Sequence, residues 1–535
     1  MEKALQMGKT SATGSFQLLI GVAVSSVIMA VGSILLGRIL TPDEYGLYGI
    51  VLIPSTLINL FRDWGINSAM TKYIASLRTS HRDDEIRDVI LAGLIFEVVS
   101  GLVLSFVSLA LASFVASTFF QRPESASFIA IVSVSILAGS LLTASQAVFV
   151  GFERMGLNSF TLICQSIVKT ATGPVLVFLG YSVLGAVVGY CLGIIASGII
   201  GLTTFYLVLF RPLTKGLKSK SNISGTLKMM TRYGVPIVIA SILSGFLAQF
   251  YAFMVVPLTT NTLYGNYAAA FNFTVLLTFL TVPISTVLFP AFAKLDPQNE
   301  SQLVRTVYVS STKYTSLLLI PATMTMMVLS GPMIGALYGE KYISGPFFLT
   351  TSVANNLFVV LGSLSAGGLL VGLGETTIVM LQGIITLAIG IPLGIILIPM
   401  LGILGLIIAS NVVGIPSMLL GLYWIWKHYK AKADFQSSAR ILVASTIASL
   451  AAFLPTYFLN TSNWIKLIAG LIIVFTGYLL IAPIIGAVNL TDINNLKTMF
   501  SGMRVISKMI SLPLGIAQKA ITTREKRQLK KKLRR

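Results

Sequence analysis

Apolar residues in this chain fall into long blocks separated by short polar corners. A block of about 20 residues or more is long enough to cross the hydrocarbon core of a bilayer as a helix. Fourteen such blocks are predicted as spans. The first seven are 14–40, 46–72, 88–118, 125–150, 157–179, 182–210 and 233–258. The others are 263–292, 304–330, 346–372, 376–399, 403–426, 438–459 and 463–486. The first block is too long for a signal-peptide core and has no small-residue cleavage site after it, so it counts as helix one. Beyond the last block, Met499, Phe500, Met503, Ile506, Met509 and Ile510 share one side of 496–512. Lys497, Arg504 and Lys508 occupy the other side, which predicts a helix lying in the membrane interface. The expected fold class is an all-α polytopic membrane protein with 14 transmembrane helices.

Composition agrees with that pattern. Of 535 residues, 55% are hydrophobic and 10% charged, against about one quarter charged in soluble domains. Net charge is +20. In a soluble protein that would point to nucleic acid, but here the placement of the cations explains it and no nucleic-acid partner is expected. With the N-terminus in the cytoplasm, 32 of the 38 Lys and Arg fall in cytoplasmic segments. Only Arg38, Arg122, Lys341 and Lys466 fall in external corners, and Arg62 and Lys169 lie within spans. This bias predicts a multi-pass protein of the cell membrane with both termini cytoplasmic. From Arg524 to Arg535, eight of twelve residues are basic. That tail is either a solvated topogenic end or a surface for anionic membrane lipids or a partner enzyme.

The blocks also repeat. The corner Leu40-Thr41…Tyr45-Gly46-Leu47-Tyr48 recurs as Leu258-Thr259…Tyr264-Gly265-Asn266-Tyr267, about 219 residues later. Val150-Gly151 matches Val371-Gly372, and Leu184-Gly185 matches Leu404-Gly405, at nearly the same offset. Six spans separate the copies, so the two halves have the same orientation. That is the parallel-repeat plan of alternating-access transporters, with substrate held between two lobes. The expected division is an N-terminal lobe over 1–225 (helices one to six) and a C-terminal lobe over 226–434 (helices seven to twelve). Accessory helices thirteen and fourteen follow over 435–490, and the interfacial helix and basic tail over 491–535.

Chemistry concentrates in the first lobe. Helix two carries Asn59, Asp63 and Asn67 on one face, spaced by four, with Arg62 beside them. Helix five carries Gln165, Lys169 and Thr172 on one face, followed by Gly173-Pro174, and helix three carries Glu97. A cation at the centre of a membrane helix costs roughly 2.5–3.5 kcal/mol, so these groups are expected to face a wet cavity or one another. Two readings stand. Either Arg62 pairs with Asp63 or Glu97, and Lys169 with Glu97, as structural ion pairs, or the cations line a transport path. The second lobe offers only neutral groups at depth: Gln249, Asn272, Asn355, Asn356, Gln382 and Asn411. Such groups are commonly interhelical glue. A cavity cationic on one side and neutral on the other suits a cargo bearing phosphate.

Signals of a soluble enzyme are missing from the pattern. Gly8-Lys9-Thr10 resembles the end of a phosphate-binding loop, but the position of its first glycine holds Lys3 and no strand precedes it. Cys164 and Cys191 fall in apolar spans, and His81 and His428 have no second ligand at useful spacing, so neither a disulfide nor a metal is expected.

The segment Gly37-Arg38-Ile39-Leu40-Thr41-Pro42-Asp43-Glu44-Tyr45-Gly46-Leu47-Tyr48 resembles the first external corner of a known family. This is the polysaccharide-transporter branch of the multidrug/oligosaccharidyl-lipid/polysaccharide flippase superfamily. Val150-Gly151-Phe152-Glu153-Arg154-Met155-Gly156 is similar to that family's connection between helices four and five. The resemblance covers residues 10–490. It implies a non-enzymatic flippase that carries a polyprenyl-phosphate-linked oligosaccharide from the cytoplasmic to the outer leaflet. It also implies a cationic central cavity, with Arg38 and Arg62 matching the family's arginines on helices one and two. One departure is Gln249, where the second lobe's first helix has no arginine.

On this reading Arg62 and Lys169 bind phosphate, with Asn59, Asn67 and Gln165 lining the cavity and Arg38 at the external exit. Asp63 or Glu97 couples transport to a proton or sodium ion, and glycan-assembly enzymes are expected partners. Two rivals remain: a cation-coupled multidrug antiporter of the same fold, and a non-transporting scaffold for glycosyltransferases.

Overall fold

The computed structural model describes residues 2–80, 82–215, 222–297 and 299–500, with residues 515, 518–519 and 521–522 beyond them. The interfacial helix expected at 496–512 falls largely outside the described residues, and the basic tail falls wholly outside.

Among the described residues every regular element is helical. In the first half, α1 (Glu2–Ile39) leads through a short corner into α2 (Pro42–Asn59), α3 (Ile66–Thr79) and α4 (Asp83–Phe114). Then come α5 (Ala126–Gly151), α6 (Met155–Leu176), α7 (Ser182–Phe205) and the single turn α8 (Arg211–Thr214). The second half opens with α9 (Ile223–Val255) and α10 (Asn261–Ala293), then α11 (Ser301–Val328) and α12 (Ser330–Leu337). It continues through α13 (Gly345–Val353), α14 (Ser363–Gly372), α15 (Thr376–Leu401) and α16 (Ile403–Val412). It closes with α17 (Gly414–Tyr429), α18 (Phe435–Phe458), α19 (Asn463–Ile485) and α20 (Leu490–Phe500).

By length and hydropathy nine described helices can cross a membrane, or eleven if each of two bent pairs is one span. The block 304–330 ends where the chain turns by 69° between α11 and α12, while the block 346–372, which reads as one straight helix, is interrupted by a 60° bend ahead of α14. The second bend follows a 3-10 stretch over Ala354–Leu361 and pivots on Gly362, whose φ of 88° suits a residue without Cβ.

The described chain forms two compact units, Met1–Ala269 with Gly390–Leu406, and Ala270–Ile389 with Ile407–Arg535. In the first, α1 lies along α6 through small residues. A Cβ at Gly21 would stand 2.3 Å from Ser159, and one at Gly32 would stand 2.5 Å from Thr170. Membrane helices have no hydrophobic drive to associate, so close backbone packing of this kind takes its place. The core beneath is built on Ile66, Met70 and Ile74, which repeat every four residues along α3. They meet Ile86, Val89 and Ile90 of α4, Val148 and Phe149 of α5, and Met230 of α9. In the second unit, Lys313 on α11 donates to Asp492 at 2.6 Å, which ties α20 to the bundle.

The corner at 40–48 shows why its sequence repeats. Thr41 caps α2: its hydroxyl accepts from the Glu44 backbone N–H at 3.2 Å, and Glu44 reaches back to the Thr41 N–H at 2.8 Å. Pro42 occupies the first turn, where a missing N–H costs nothing. At the second corner the Thr260 hydroxyl accepts from the Leu263 N–H at 3.2 Å. The structural equivalent of Thr41 is therefore Thr260, one residue later than the sequence match to Thr259 suggests. The two corners dock reciprocally. A Cβ on Gly46 would meet the Asn261 carbonyl oxygen at 1.8 Å, and one on Gly265 would meet the Pro42 carbonyl oxygen at 2.0 Å. Such exchange of equivalent contacts is what a local two-fold axis generates.

Candidate functional site

Helix two is expected as one continuous span, and here the structure corrects the sequence. The chain unwinds between α2 and α3, over residues 60–65. Leu60, Phe61 and Arg62 make tight i→i−3 bonds, then Trp64 and Gly65 take positive φ of 49° and 73°. Trp64 in that region costs about 1–3 kcal/mol. The break removes the common face expected for Asn59, Asp63 and Asn67. Irregular backbone at membrane depth is tolerated only where protein buries it or where it lines a cavity. Here α9 covers it: a Cβ on Gly65 would lie 2.3 Å from the Gly234 carbonyl oxygen, and one on Gly234 would lie 2.5 Å from that of Trp64.

The break gathers the polar groups in another way. The Asp63 carboxylate accepts from the Asn67 N–H at 2.8 Å and so caps α3. Asn67 in turn donates its amide to Glu97 at 2.9 Å. The Asp63 and Glu97 carboxyls are near enough to interact directly. Arg62 is buried at 7% exposure and Glu97 at 0%. The guanidinium donates to Asn59 Oδ1 at 3.0 Å and to Thr143 Oγ1 at 2.8 Å. Its Nε stands 3.7 Å from Glu97 Oε2. That is an ion pair but too long for a hydrogen bond. Neither of those two atoms has a hydrogen-bond partner, nor has Asn67 Oδ1. Of the two sequence readings for Arg62, structural pairing with Glu97 is present, in a loose form.

Lys169 behaves differently. Its ammonium lies 4.7 Å from the centre of the Tyr190 ring, and among the described residues it has no carboxylate within ion-pair distance. Pairing of Lys169 with Glu97, expected as one alternative, does not occur. The face shared with Gln165 and Thr172 remains helical. Thr172 spends its hydroxyl on the Val168 carbonyl at 2.7 Å. Beyond Pro174, α6 gives way to a π turn over Val177–Tyr181, so the predicted loosening lies just past the proline. Arg62 and Lys169 are not in contact. A Cβ at Gly139 would meet the Arg62 guanidinium at 3.0 Å and Ile194 at 3.9 Å, while one at Gly193 would meet the Lys169 Cβ at 2.7 Å. Helices α5 and α7 thus link the two cations.

The sequence reading missed Thr143, and with it Gln146, whose side-chain nitrogen is buried without a partner. The signal was present: Gly139, Thr143 and Gln146 follow i, i+4, i+7 spacing on α5. Arg122 was also missed. It donates to Asn261 Oδ1 at 2.7 Å and to the carbonyls of Val256 and Thr259 at 2.8 and 2.5 Å, clamping the second corner. Burial pushes its guanidinium below the usual arginine range. Arg38 is exposed in the last turn of α1. The neutral groups of the second half act largely between helices. Gln249 bonds Thr56 at 2.8 Å, Asn272 bonds Tyr338 at 3.1 Å, Gln382 the Ser417 carbonyl at 2.7 Å and Asn411 the Thr351 carbonyl at 2.8 Å. Asn356 bonds its own helix at Val353, 3.1 Å away.

The family described as "Polysaccharide biosynthesis protein" matches over residues 11–296, more than half of the chain. The chain belongs to this family. It stands in the polysaccharide branch of the flippase superfamily. A relative is the "Probable low-salt glycan biosynthesis flippase Agl15" of Haloferax volcanii, 21% identical over 64% of this chain and 71% of that protein. Among solved structures, "Lipid II flippase MurJ, inward closed conformation" is 16% identical with a TM-score of 0.70, covering 87% of this chain and 98% of that one. An inward-facing multidrug resistance MATE family transporter is 14% identical with a TM-score of 0.61, covering 77% and 98%. These structural likenesses establish the fold of the family. Its relatives carry the names of flippases and transporters, and the chain is a multi-pass membrane protein of polysaccharide biosynthesis, not an enzyme.

Proposed function

We propose that the protein is a flippase for a polyprenyl-phosphate-linked oligosaccharide, carried from the cytoplasmic to the outer leaflet by alternating access of two six-helix lobes. One observation carries this reading. Lys169 is a cation on a membrane helix whose only described neighbour of opposite polarity is the face of an aromatic ring. A neutral tyrosine compensates such a charge weakly, by about 0.5–2 kcal/mol, so the site favours an anion that arrives with the cargo. Phosphate is the anionic group that joins a polyprenyl carrier to its saccharide.

Arg62 is the second phosphate ligand. Its Nε is free of hydrogen bonds, and the 3.7 Å gap to Glu97 leaves that pair open to competition by a stronger anion. Asn59, Asn67 and Gln165 line the path and Arg38 marks its external end. When phosphate takes the guanidinium, Glu97 and Asp63 lose their counter-charge. A proton or sodium ion would then restore balance, which makes these two carboxyls the candidates for ion coupling. On this reading both termini lie in the cytoplasm, where the basic tail meets anionic lipid and glycan-assembly enzymes.

The test is reconstitution. Vesicles with polyprenyl-linked oligosaccharide are probed with a membrane-impermeant reagent for the head group. Wild-type protein is expected to expose inner-leaflet head groups on a time scale of minutes. An exposure rate equal to that of protein-free vesicles sinks the proposal.

A further inference from the structure

A second cluster of cations, outside the Arg62–Lys169 region, lines a cavity at the cytoplasmic end of the first unit. Its volume is about 510 Å³, and it is bounded by Tyr73 of α3 and by Gly225, Lys228, Met229, Arg232 and Tyr233 of α9. Lys72 belongs to the same place: its ammonium lies 3.8 Å from the Tyr233 ring centre and 5.3 Å from that of Tyr73. The two rings meet edge to face at 5.8 Å. Lys228 and Arg232 are spaced by four and so share one side of α9.

We propose that this cleft is a loading site for the phosphate of a prenyl-phosphate lipid in the cytoplasmic leaflet. Orientation supports the idea first. A cation over an aromatic face is drawn to the ring; Lys72, though exposed, rests over two rings that wall the cavity. Charge supports it next. Lys228 and Arg232, which line the cleft, and Lys72 beside it are exposed and form no ion pair with a carboxylate among the described residues, so the mouth of the cleft is cationic without internal compensation. The rings add flat apolar surface, which suits the first isoprene units or a sugar face beside the phosphate. The volume also lies in the range of small-ligand pockets, about 300–1,000 Å³. The position is apt, because α3 continues directly from the unwound segment that carries Arg62. A head group bound here is one helix away from the deep cations, and this rests on the transport reading above.

Met229 lines the cleft and is 40% exposed, which allows a local test independent of transport. Met229→Cys protein in neutral-lipid nanodiscs is labelled with an impermeant maleimide, with and without geranyl phosphate. Labelling should slow at least about fivefold with geranyl phosphate. The protection should vanish in a Lys72→Gln/Lys228→Gln/Arg232→Gln background and persist in Arg62→Gln. Two further arms separate the sources of phosphate. Inorganic phosphate at the same concentration and nanodiscs containing phosphatidylglycerol should each protect far less. Equal protection by either of them overturns the assignment to a prenyl phosphate. Labelling unaffected by geranyl phosphate, or protection that survives the triple substitution, overturns the site itself. A flippase failure with protection intact would refute the transport reading alone.

Discussion

Arg62 and Lys169 are both cations within apolar blocks of the first half, yet the fold treats them in opposite ways. Arg62 sits in a break between helices, surrounded by Asn59, Thr143 and Glu97. Lys169 sits on an intact helix against one aromatic ring. The difference follows from backbone. Unwinding at 60–65 lets α3 begin afresh at Ile66, and Asp63 and Asn67 at its start connect the break to Glu97. No such break exists beside Lys169, so no carboxylate is brought to it. One cation is tied into the architecture by these contacts, and the other keeps no carboxylate partner among the described residues.

This contrast can be broken from the Arg62 side first. Glu97→Gln leaves the guanidinium buried without a carboxylate, which typically costs about 3–5 kcal/mol. A thermal-shift series should show that loss, and Arg62→Gln/Glu97→Gln should recover part of it. The opposite is expected on the other side: Lys169→Met removes an uncompensated charge and should stabilise by up to about 3 kcal/mol while transport falls. Next in size is Gly65→Ala. It forces a Cβ at positive φ into the Gly234 carbonyl, for a loss of about 1–3 kcal/mol, and it should disturb Arg62 but leave Lys169 chemistry alone. The smallest effect belongs to Thr41→Ala, which removes one cap at about 1 kcal/mol. Thr260→Ala should match it closely, because the two corners are equivalent.

Much of this was legible in the sequence. Hydropathy blocks and the repeat at offset 219 mark the helices and the paired corners, since span length and tight glycine packing leave direct traces. The deep charged positions Arg62, Lys169 and Glu97 also stand out, because charge is rare in apolar blocks. The break at 60–65 was not legible. Residues 46–72 keep helical periodicity through it, and only Trp64-Gly65 hints at positive φ. The bend ahead of α14 hides for the same reason. Which cation would find a partner was undecidable as well, since pairing depends on how α3 restarts and that is a tertiary outcome. Arg122 shows the reverse case. It reads as one of four external cations, but the Asn261 side chain and the Val256 and Thr259 carbonyls gather on it only after folding.

The charge of Lys169 is the most direct handle on phosphate binding. Initial rates of head-group exposure are measured in vesicles for wild type, Lys169→Arg and Lys169→Gln, over a range of lipid-linked oligosaccharide concentrations. Loss of a charge-assisted phosphate contact should lower the transport rate of Lys169→Gln by about tenfold or more, while Lys169→Arg keeps most of it. A Lys169→Gln protein that flips at the wild-type rate would contradict the phosphate-binding role.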